Sequence, residues 1–217
     1  MLTLIFDLDN TIYPVSAISG SLFRPLFSLL ERPEYGLDEQ TRQEARRQIM
    51  RRPFQQVAEE FRFPEQLVRE SLDLLRTLTV EVPMTTFADY PAVRQVPAQR
   101  FLVTTGFPRL QESKIDRLGI RDDFREIFII DPDRSPLTKK DIFGIIREKY
   151  GLEFSGMVVV GDDPESEIRG ASELGIRSFL LDPQDEHPGA PCSYRGRRLS
   201  ELVRFLEAVR TEPNERS

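Results

Sequence analysis

Residues 2–6, LTLIF, run directly into Asp7-Leu8-Asp9-Asn10-Thr11. An unbroken apolar run with β-branched and aromatic members reads as a strand buried on both faces, the habit of a parallel sheet. Such a strand delivers two carboxylates, two residues apart, at its carboxyl end, where open α/β sheets bind their ligands. Two ionised carboxylates placed there repel unless a cation or a shared proton compensates. A hard, oxygen-seeking cation such as Mg²⁺ is the natural partner, and Mg²⁺ sites are commonly completed by a substrate phosphate. The competing reading of the pentapeptide is a turn, in which Asp and Asn are favoured for local reasons.

After Thr11 the pattern turns helical. Helices are expected at 24–31, at 39–51 behind Asp38 as N-cap, at 53–61 and at 64–78. Phe54, Val57, Ala58 and Phe61 share one face, as do Leu67, Ser71, Leu74, Leu75 and Leu78, so these segments should pack on one another as a small bundle. The basic set Arg42, Arg46, Arg47, Arg51 and Arg52 is either a solvated helix face or a steering field for anions. Strand signals resume at 100–104, 126–130, 157–161 and 177–181. Between them stand helical stretches at 108–118, 139–150 and 165–174, each followed by a glycine (119, 151 and 175) in the C-cap position. A last helix is expected at 199–210, and the tail 211–217 is expected to be disordered. Alternation of this kind implies right-handed βαβ units. The fold expected is α/β: a three-layer Rossmann-like core with a parallel sheet, residues 1–12 and 83–217, and a small helical domain, 13–82, inserted after the first strand.

One histidine, His187, and one cysteine, Cys192, restrict the chemistry available. Both fall in a Pro- and Gly-containing stretch that reads as a surface loop. Ser-His-Asp catalysis and multi-histidine zinc sites are thereby set aside, and no internal disulfide can form. A lone thiol fits a reducing compartment, and the expected location is cytoplasmic. The first residues lack the charged start of a signal peptide, and no apolar run approaches the roughly 20 residues of a membrane span. A net charge of −6 argues against sequence-independent nucleic-acid binding. Catalysis, if present, rests on carboxylates, hydroxyls and lysines.

The remaining polar signals stand at the ends of the expected strands. Thr104, Thr105 and Gly106 precede a helix that starts at Pro108, and hydroxyls and amides at a helix N-terminus suit a phosphoryl oxygen. Lys139 and Lys140 open another helix, where the dipole disfavours cations; a lysine there implies an anionic neighbour or simple exposure to solvent. Gly161-Asp162-Asp163-Pro164-Glu165-Ser166-Glu167 follows the strand 157–161. One acid suffices for an N-cap, whereas four acids in seven residues favour a cation site.

This ordered set (Asp-x-Asp-x-Thr, then Thr, then Lys, then Gly-Asp-Asp) resembles the haloacid dehalogenase-like superfamily of phosphohydrolases, from residue 1 to about residue 181. The helical insertion resembles that superfamily's cap of the first type. The resemblance implies that Asp7 is the nucleophile of an aspartyl-phosphate route and that Asp9 protonates the leaving oxygen and then deprotonates water. It implies that Thr104 binds the phosphoryl group with the Thr105 and Gly106 amides, and that Lys139 neutralises charge at Asp7. Mg²⁺ would be held by Asp7, the Asp9 carbonyl and Asp162, with Asp163 or Glu167 in support. Lys139 is preferred to Lys140 because Phe143, four residues on, repeats a family spacing. Glu167 stands where an aspartate is common, and the helix before Pro97 is short for the family. The dehalogenase branch lacks an acid at the position of Asp9. DLDNTIYP is similar to nucleotidase-like phosphatases, with Tyr13 either at the substrate cleft or packed in the core. The expected activity is Mg²⁺-dependent hydrolysis of a small phosphomonoester, a nucleoside monophosphate or a sugar phosphate. Alternatives are a phosphomutase of the same superfamily and a non-enzymatic phospho-acceptor or binding relative.

Overall fold

The structure, a computed structural model, describes residues 2–50 and 52–211. Arg51 and the tail beyond Thr211 lie outside the described residues. Six strands, β1 (Thr3–Phe6), β2 (Gln99–Thr105), β3 (Glu126–Ile130), β4 (Met157–Gly161), β5 (Arg177–Leu181) and β6 (Tyr194–Gly196), form one sheet in the order β3-β2-β1-β4-β5-β6. Every pairing is parallel. β1 sits between β2 and β4, with Phe6 opposite Leu102 and Val160. The strand order reverses between β1 and β4, and this switch point opens a crevice at their carboxyl ends. Asp7 and Gly161 flank it.

Strand alternation divides the core between the two faces. Leu4, Phe6, Leu102, Val158 and Val160 join the cluster that extends into the inserted helices, while Ile5, Phe101, Val103, Met157 and Val159 pack with Ile142, Phe143 and Ile146 on the other face. Both faces are covered, which is why the strands read as continuous apolar runs. The alternation expected from the sequence is observed, and the fold is the α/β, Rossmann-like one.

Among the described residues, five α-helices occupy 16–77 after β1: α1 (Ser16–Leu22), α2 (Arg24–Leu30), α3 (Glu39–Ile49), α4 (Phe54–Glu60) and α5 (Glu65–Thr77). Asp38 caps α3 by accepting the Thr41 N–H at 2.8 Å. The arginines of this region are paired: Arg42 with Glu39, Arg46 with Glu31, Arg47 with Glu44 and Arg52 with Glu60. That pairing is the habit of a solvated face and leaves little positive field for steering. Then follow α6 (Tyr90–Arg94), α7 (Pro108–Leu118), α8 (Lys139–Tyr150), α9 (Arg169–Glu173) and α10 (Glu201–Thr211). Gly119 and Gly151 end α7 and α8 at φ +63° and +60°, the left-handed C-cap geometry.

Three elements differ from the sequence reading. α1, SAISGSL, has weak intrinsic propensity and is held by burial of Ile18 and Leu22. β6 is only three residues long; Tyr194 stacks on Phe179 at 5.5 Å and on Phe205 at 5.4 Å, which fixes it as an edge strand. The helix expected at 165–174 begins instead as a single π turn, Pro164–Ile168, before α9. No helix among the described residues is long and apolar enough to cross a membrane.

Candidate active site

The crevice is organised by how β1 ends. Asp7 continues the ladder, its N–H donating to the Val160 carbonyl at 2.9 Å. Asn10 then takes φ +53°, a left-handed conformation that Asn tolerates better than most residues, and the Ile12 N–H returns to the Leu8 carbonyl at 3.0 Å. The Asn10 side chain accepts the Val15 N–H at 3.1 Å, closing the turn that leads into the inserted helices. Asp7 and Asp9 are thereby held at the rim, each in a different electrostatic environment.

On the β4 side, Asp7 belongs to a carboxylate cluster. Asp7, Asp162 and Glu167 each place an oxygen within 4.8 Å of the others. The Lys139 ammonium donates to Asp7 Oδ1 at 2.6 Å and to Glu167 Oε2 at 2.7 Å. A capping box places that lysine: Thr138 accepts the Asp141 N–H, and Asp141 accepts the Thr138 N–H, so α8 starts at Lys139. Burial pushes the Asp7 carboxyl up to about 7, against the pull of Lys139 and with the help of the charges on Glu167 and Asp9. Asp162 is raised well above the carboxylate range by burial and by the charges on Glu167 and Asp7. Burial opposes the charge on Lys139, but Asp7 and Glu167 outweigh it and hold the ammonium well above its usual range. Three carboxylates against one ammonium leave two negative charges when all are ionised. An all-oxygen, under-neutralised set of this kind suits a hard divalent cation.

On the β2 side, Asp9 is saturated by donors. Lys114 reaches Oδ1 at 2.8 Å and Oδ2 at 3.0 Å, Gln111 donates to Oδ2 at 3.0 Å, and the Tyr13 hydroxyl donates to Oδ1. Burial would raise the Asp9 carboxyl; Lys114, then Tyr13 and Gln111, outweigh it and hold it below the usual range. Gln111 also donates to Thr104 Oγ1 at 2.6 Å, which joins Asp9 to the end of β2.

The other expected residues fall as follows. Thr104 is buried, and Thr105 ends β2 opposite Ile130. The Gly106 N–H donates to the Ile130 carbonyl at 3.0 Å, so that amide is engaged within the sheet instead of being presented to a phosphoryl oxygen. Gly106 has a packing role as well, because a Cβ there would meet Gln111 Cδ at 2.9 Å. Tyr13 is fully buried, with its hydroxyl on Asp9. Lys140 pairs with Glu173 at 2.7 Å on the surface, away from Asp7. Asp163 is exposed and accepts the Glu165 N–H at 2.8 Å as a cap; the cluster's third carboxylate is Glu167. Thr11 donates to Asp162 Oδ1 at 3.3 Å. Gln111 and Lys114 were not among the residues expected here.

Glu167 reaches the cluster because the π turn sets it back over the end of β4. Its Oε1 accepts the Asp163 N–H at 2.8 Å, and its carboxylate lies where a side chain on Gly161 would be: a Cβ there would stand 2.1 Å from Oε1. Gly161→Ala should therefore expel Glu167 from the cluster, costing about 1–3 kcal/mol of strain. Thermal melts check this; an alanine variant with an unchanged melting temperature would contradict it.

A family profile for haloacid dehalogenase-like hydrolases matches residues 1–175. The pyrimidine 5'-nucleotidase YjjG of Escherichia coli (strain K12) is 29% identical over 108 residues, 48% of this chain and 48% of that protein. The chain thus spans about half the length of this curated relative. Among solved structures, the haloacid dehalogenase-like family protein SP0104 from Streptococcus pneumoniae aligns with a TM-score of 0.71 at 17% identity, over 95% of this chain and 98% of that one. The HAD-hydrolase YfnB from Bacillus subtilis, bound to magnesium, aligns with a TM-score of 0.65 at 20% identity over the same shares. Dehalogenases stand among the structural neighbours too, and at these identities the likeness shows the fold alone.

Proposed function

The chain belongs to the haloacid dehalogenase-like hydrolases, and from that premise we propose that it is a Mg²⁺-dependent phosphomonoester hydrolase working through an aspartyl-phosphate on Asp7. The observation that carries this reading is the second carboxylate. Asp9 stands two residues beyond Asp7, separated from the metal-type cluster and linked through Gln111 to Thr104. A carboxylate displacement on carbon needs no such acid, whereas breaking a phosphate ester needs a proton for the departing oxygen.

In the first half-reaction an Asp7 oxygen bonds to phosphorus, the ester P–O bond breaks, and a proton brought in on the phosphate monoanion passes by way of Asp9 to the leaving oxygen. In the second, Asp9 takes a proton from water, the water oxygen bonds to phosphorus, and the acyl-phosphate P–O bond breaks to release phosphate and restore Asp7. Lys139 holds one Asp7 oxygen, fixing the carboxylate's orientation and offsetting charge as phosphoryl oxygens approach. Asp7, Asp162 and Glu167 would hold Mg²⁺, which supplies positive charge to those oxygens when bound. The similarity to a pyrimidine nucleotidase supports a small phosphorylated metabolite as substrate, a nucleoside monophosphate or a sugar phosphate.

Residues 13–82 would form the cap over this crevice. Asp133, in the segment between β3 and α8, accepts from Gln55 of α4 at 2.7 Å and from Arg76 of α5 at 2.9 Å. Those contacts tie the inserted helices to the segment that leads to Lys139 and would help exclude water while the phosphoenzyme exists.

The test is phosphate release from a panel of aryl, nucleotide and sugar phosphates, with and without Mg²⁺. Turnover that requires Mg²⁺ is expected; correctly folded protein inactive on the whole panel would overturn the reading. In parallel, Mg²⁺ at ten times its dissociation constant should add about 1.4 kcal/mol of stability, or about 3–6 °C in melting temperature for a chain of this size.

A further inference from the structure

Asp133 takes part in no reaction step, yet the inserted helices meet the core through it. Among the described residues, every side-chain hydrogen bond and ion pair between residues 16–77 and the core ends on this carboxylate. Its Oδ1 accepts from the Gln55 amide of α4 at 2.7 Å. Its Oδ2 accepts from Arg76 Nε of α5 at 2.9 Å, with Arg76 Nη2 2.7 Å away. Two helices thus converge on one core side chain. The linkers on either side of the insertion are held separately. The Asn10 side chain accepts the Val15 N–H, and the Phe87 N–H donates to the Ile12 carbonyl at 2.8 Å. Helix α7 grips Val80 at both backbone groups: Ser113 Oγ accepts its N–H at 2.9 Å, and Arg117 Nε donates to its carbonyl at 3.2 Å. Pinned linkers with one polar contact beyond them have the layout of a hinge and a catch.

Each half of the catch is braced on its own side. In the core, the Asp133 N–H donates to Asp131 Oδ1 at 2.9 Å, and the Asp131 carbonyl accepts the Ser135 N–H at 3.0 Å. Ser135 Oγ then accepts the Leu137 N–H at 3.2 Å, just before the capping box at Thr138. In the insertion, Arg76 Nη1 donates to Asp73 Oδ1 at 2.8 Å, one turn back on α5. Neither half takes its shape from the other, so the contact can break and re-form without refolding either side. Its strength suits that use. The Asp133 side chain is 13% exposed and that of Arg76 46%, so the pair is only partly shielded from water. Pairs of this kind shift an equilibrium by a modest factor, and salt weakens them.

We infer that Asp133 is an ionic catch that holds α4 and α5 closed, and that the inserted helices swing about their linkers when its charge is removed or screened. The closed fraction is then a function of ionic strength and of this one contact. The inference rests on the reading of residues 13–82 as a cap, and not on the chemistry at Asp7. A readout of distance therefore stands or falls apart from phosphate release.

The experiment measures the distance between two spin labels in the full chain, one at Glu59→Cys on α4 and one at Glu148→Cys on α8. Both positions are exposed, and a Cys192→Ser background leaves no other thiol to label. With an open form near about 1% in wild type, an ordinary minor population, Asp133→Ala should raise the open-to-closed ratio about tenfold. That is the effect of losing one partly exposed charge pair and its hydrogen bonds. A second, longer distance should then hold about a tenth of the molecules. Arg76→Gln should shift the ratio in the same direction from the other side, and adding it to Asp133→Ala should open the insertion no further. Raising NaCl from about 0.05 M to about 1 M, where the screening length is about 3 Å, should lengthen the distances in wild type and leave Asp133→Ala unchanged. A single short distance in both Asp133→Ala and Arg76→Gln would overturn the catch, as would an equal salt response in wild type and Asp133→Ala. Should Asp133→Ala not fold, Arg76→Gln, on the surface of α5, decides alone.

Discussion

Asp7→Asn should lower phosphate release by at least about 10⁴-fold, as loss of a covalent nucleophile does elsewhere, while leaving the protein at least as stable as wild type. The substitution is close to isosteric, and it replaces a carboxylate whose buried setting works against its charge. Burial, Glu167 and Asp9 all disfavour ionised Asp7, which is why its carboxyl is pushed up to about 7 despite Lys139 at 2.6 Å. A neutral amide relieves that repulsion, and Lys139 keeps its second partner, Glu167, at 2.7 Å. On the aspartyl-phosphate proposal, stability is given up in wild type for a reactive group, a common exchange at functional sites. The measurement pairs phosphate release on the best panel substrate with thermal melts in Mg²⁺-free buffer. Retained turnover in the asparagine variant would exclude the aspartyl-phosphate route. A large fall in melting temperature would show that Asp7 has a structural duty the charge argument misses.

The parts of this site that announce themselves in the sequence do so through local conflict. Asp7 and Asp9 break an apolar run, Asp162 ends another, and a lysine at a helix N-terminus contradicts the dipole, so each demands a partner from elsewhere. What stays hidden depends on rotation about an axis or on backbone register. Lys139 and Lys140 are adjacent, but successive residues point about 100° apart on a helix, and the structure sends the first to Asp7 and the second to Glu173. Glu167 joins the cluster in place of Asp163 because of a π turn that no propensity scale marks. Lys114 and Gln111 look like ordinary surface residues of an amphipathic helix. A signal was present: they share the buried face with Leu110 and Ile115, where polar side chains need a reason. α1 and β6 were missed for a different cause, since both owe their form to tertiary packing and too little to their own residues.

Lys139→Met should separate the two roles that this lysine combines. It is buried between Asp7 and Glu167, and removing one partner of a buried ion pair typically costs about 3–5 kcal/mol, because the charge left behind has lost both water and its counter-ion. Here three carboxylates would be left within 4.8 Å of one another with no ammonium among them. When all three are ionised, the cluster carries three negative charges in place of two, so Mg²⁺ should stabilise the variant by more degrees than it stabilises wild type. Activity should not follow. A cation that lies among the carboxylates can offset their mutual repulsion, but it cannot replace the donor fixed on Asp7 Oδ1, and losing one such preorganised donor is worth about 10²–10³ in kcat. The expected result is a protein whose melting temperature Mg²⁺ largely restores and whose kcat it does not. Melts and steady-state rates across a Mg²⁺ titration test both halves. Rates that recover in step with stability would reduce Lys139 to a counter-charge for the cluster. A variant that melts as wild type does without Mg²⁺ would show that the cluster holds protons in place of charge, and the case for a divalent cation there would fall with it.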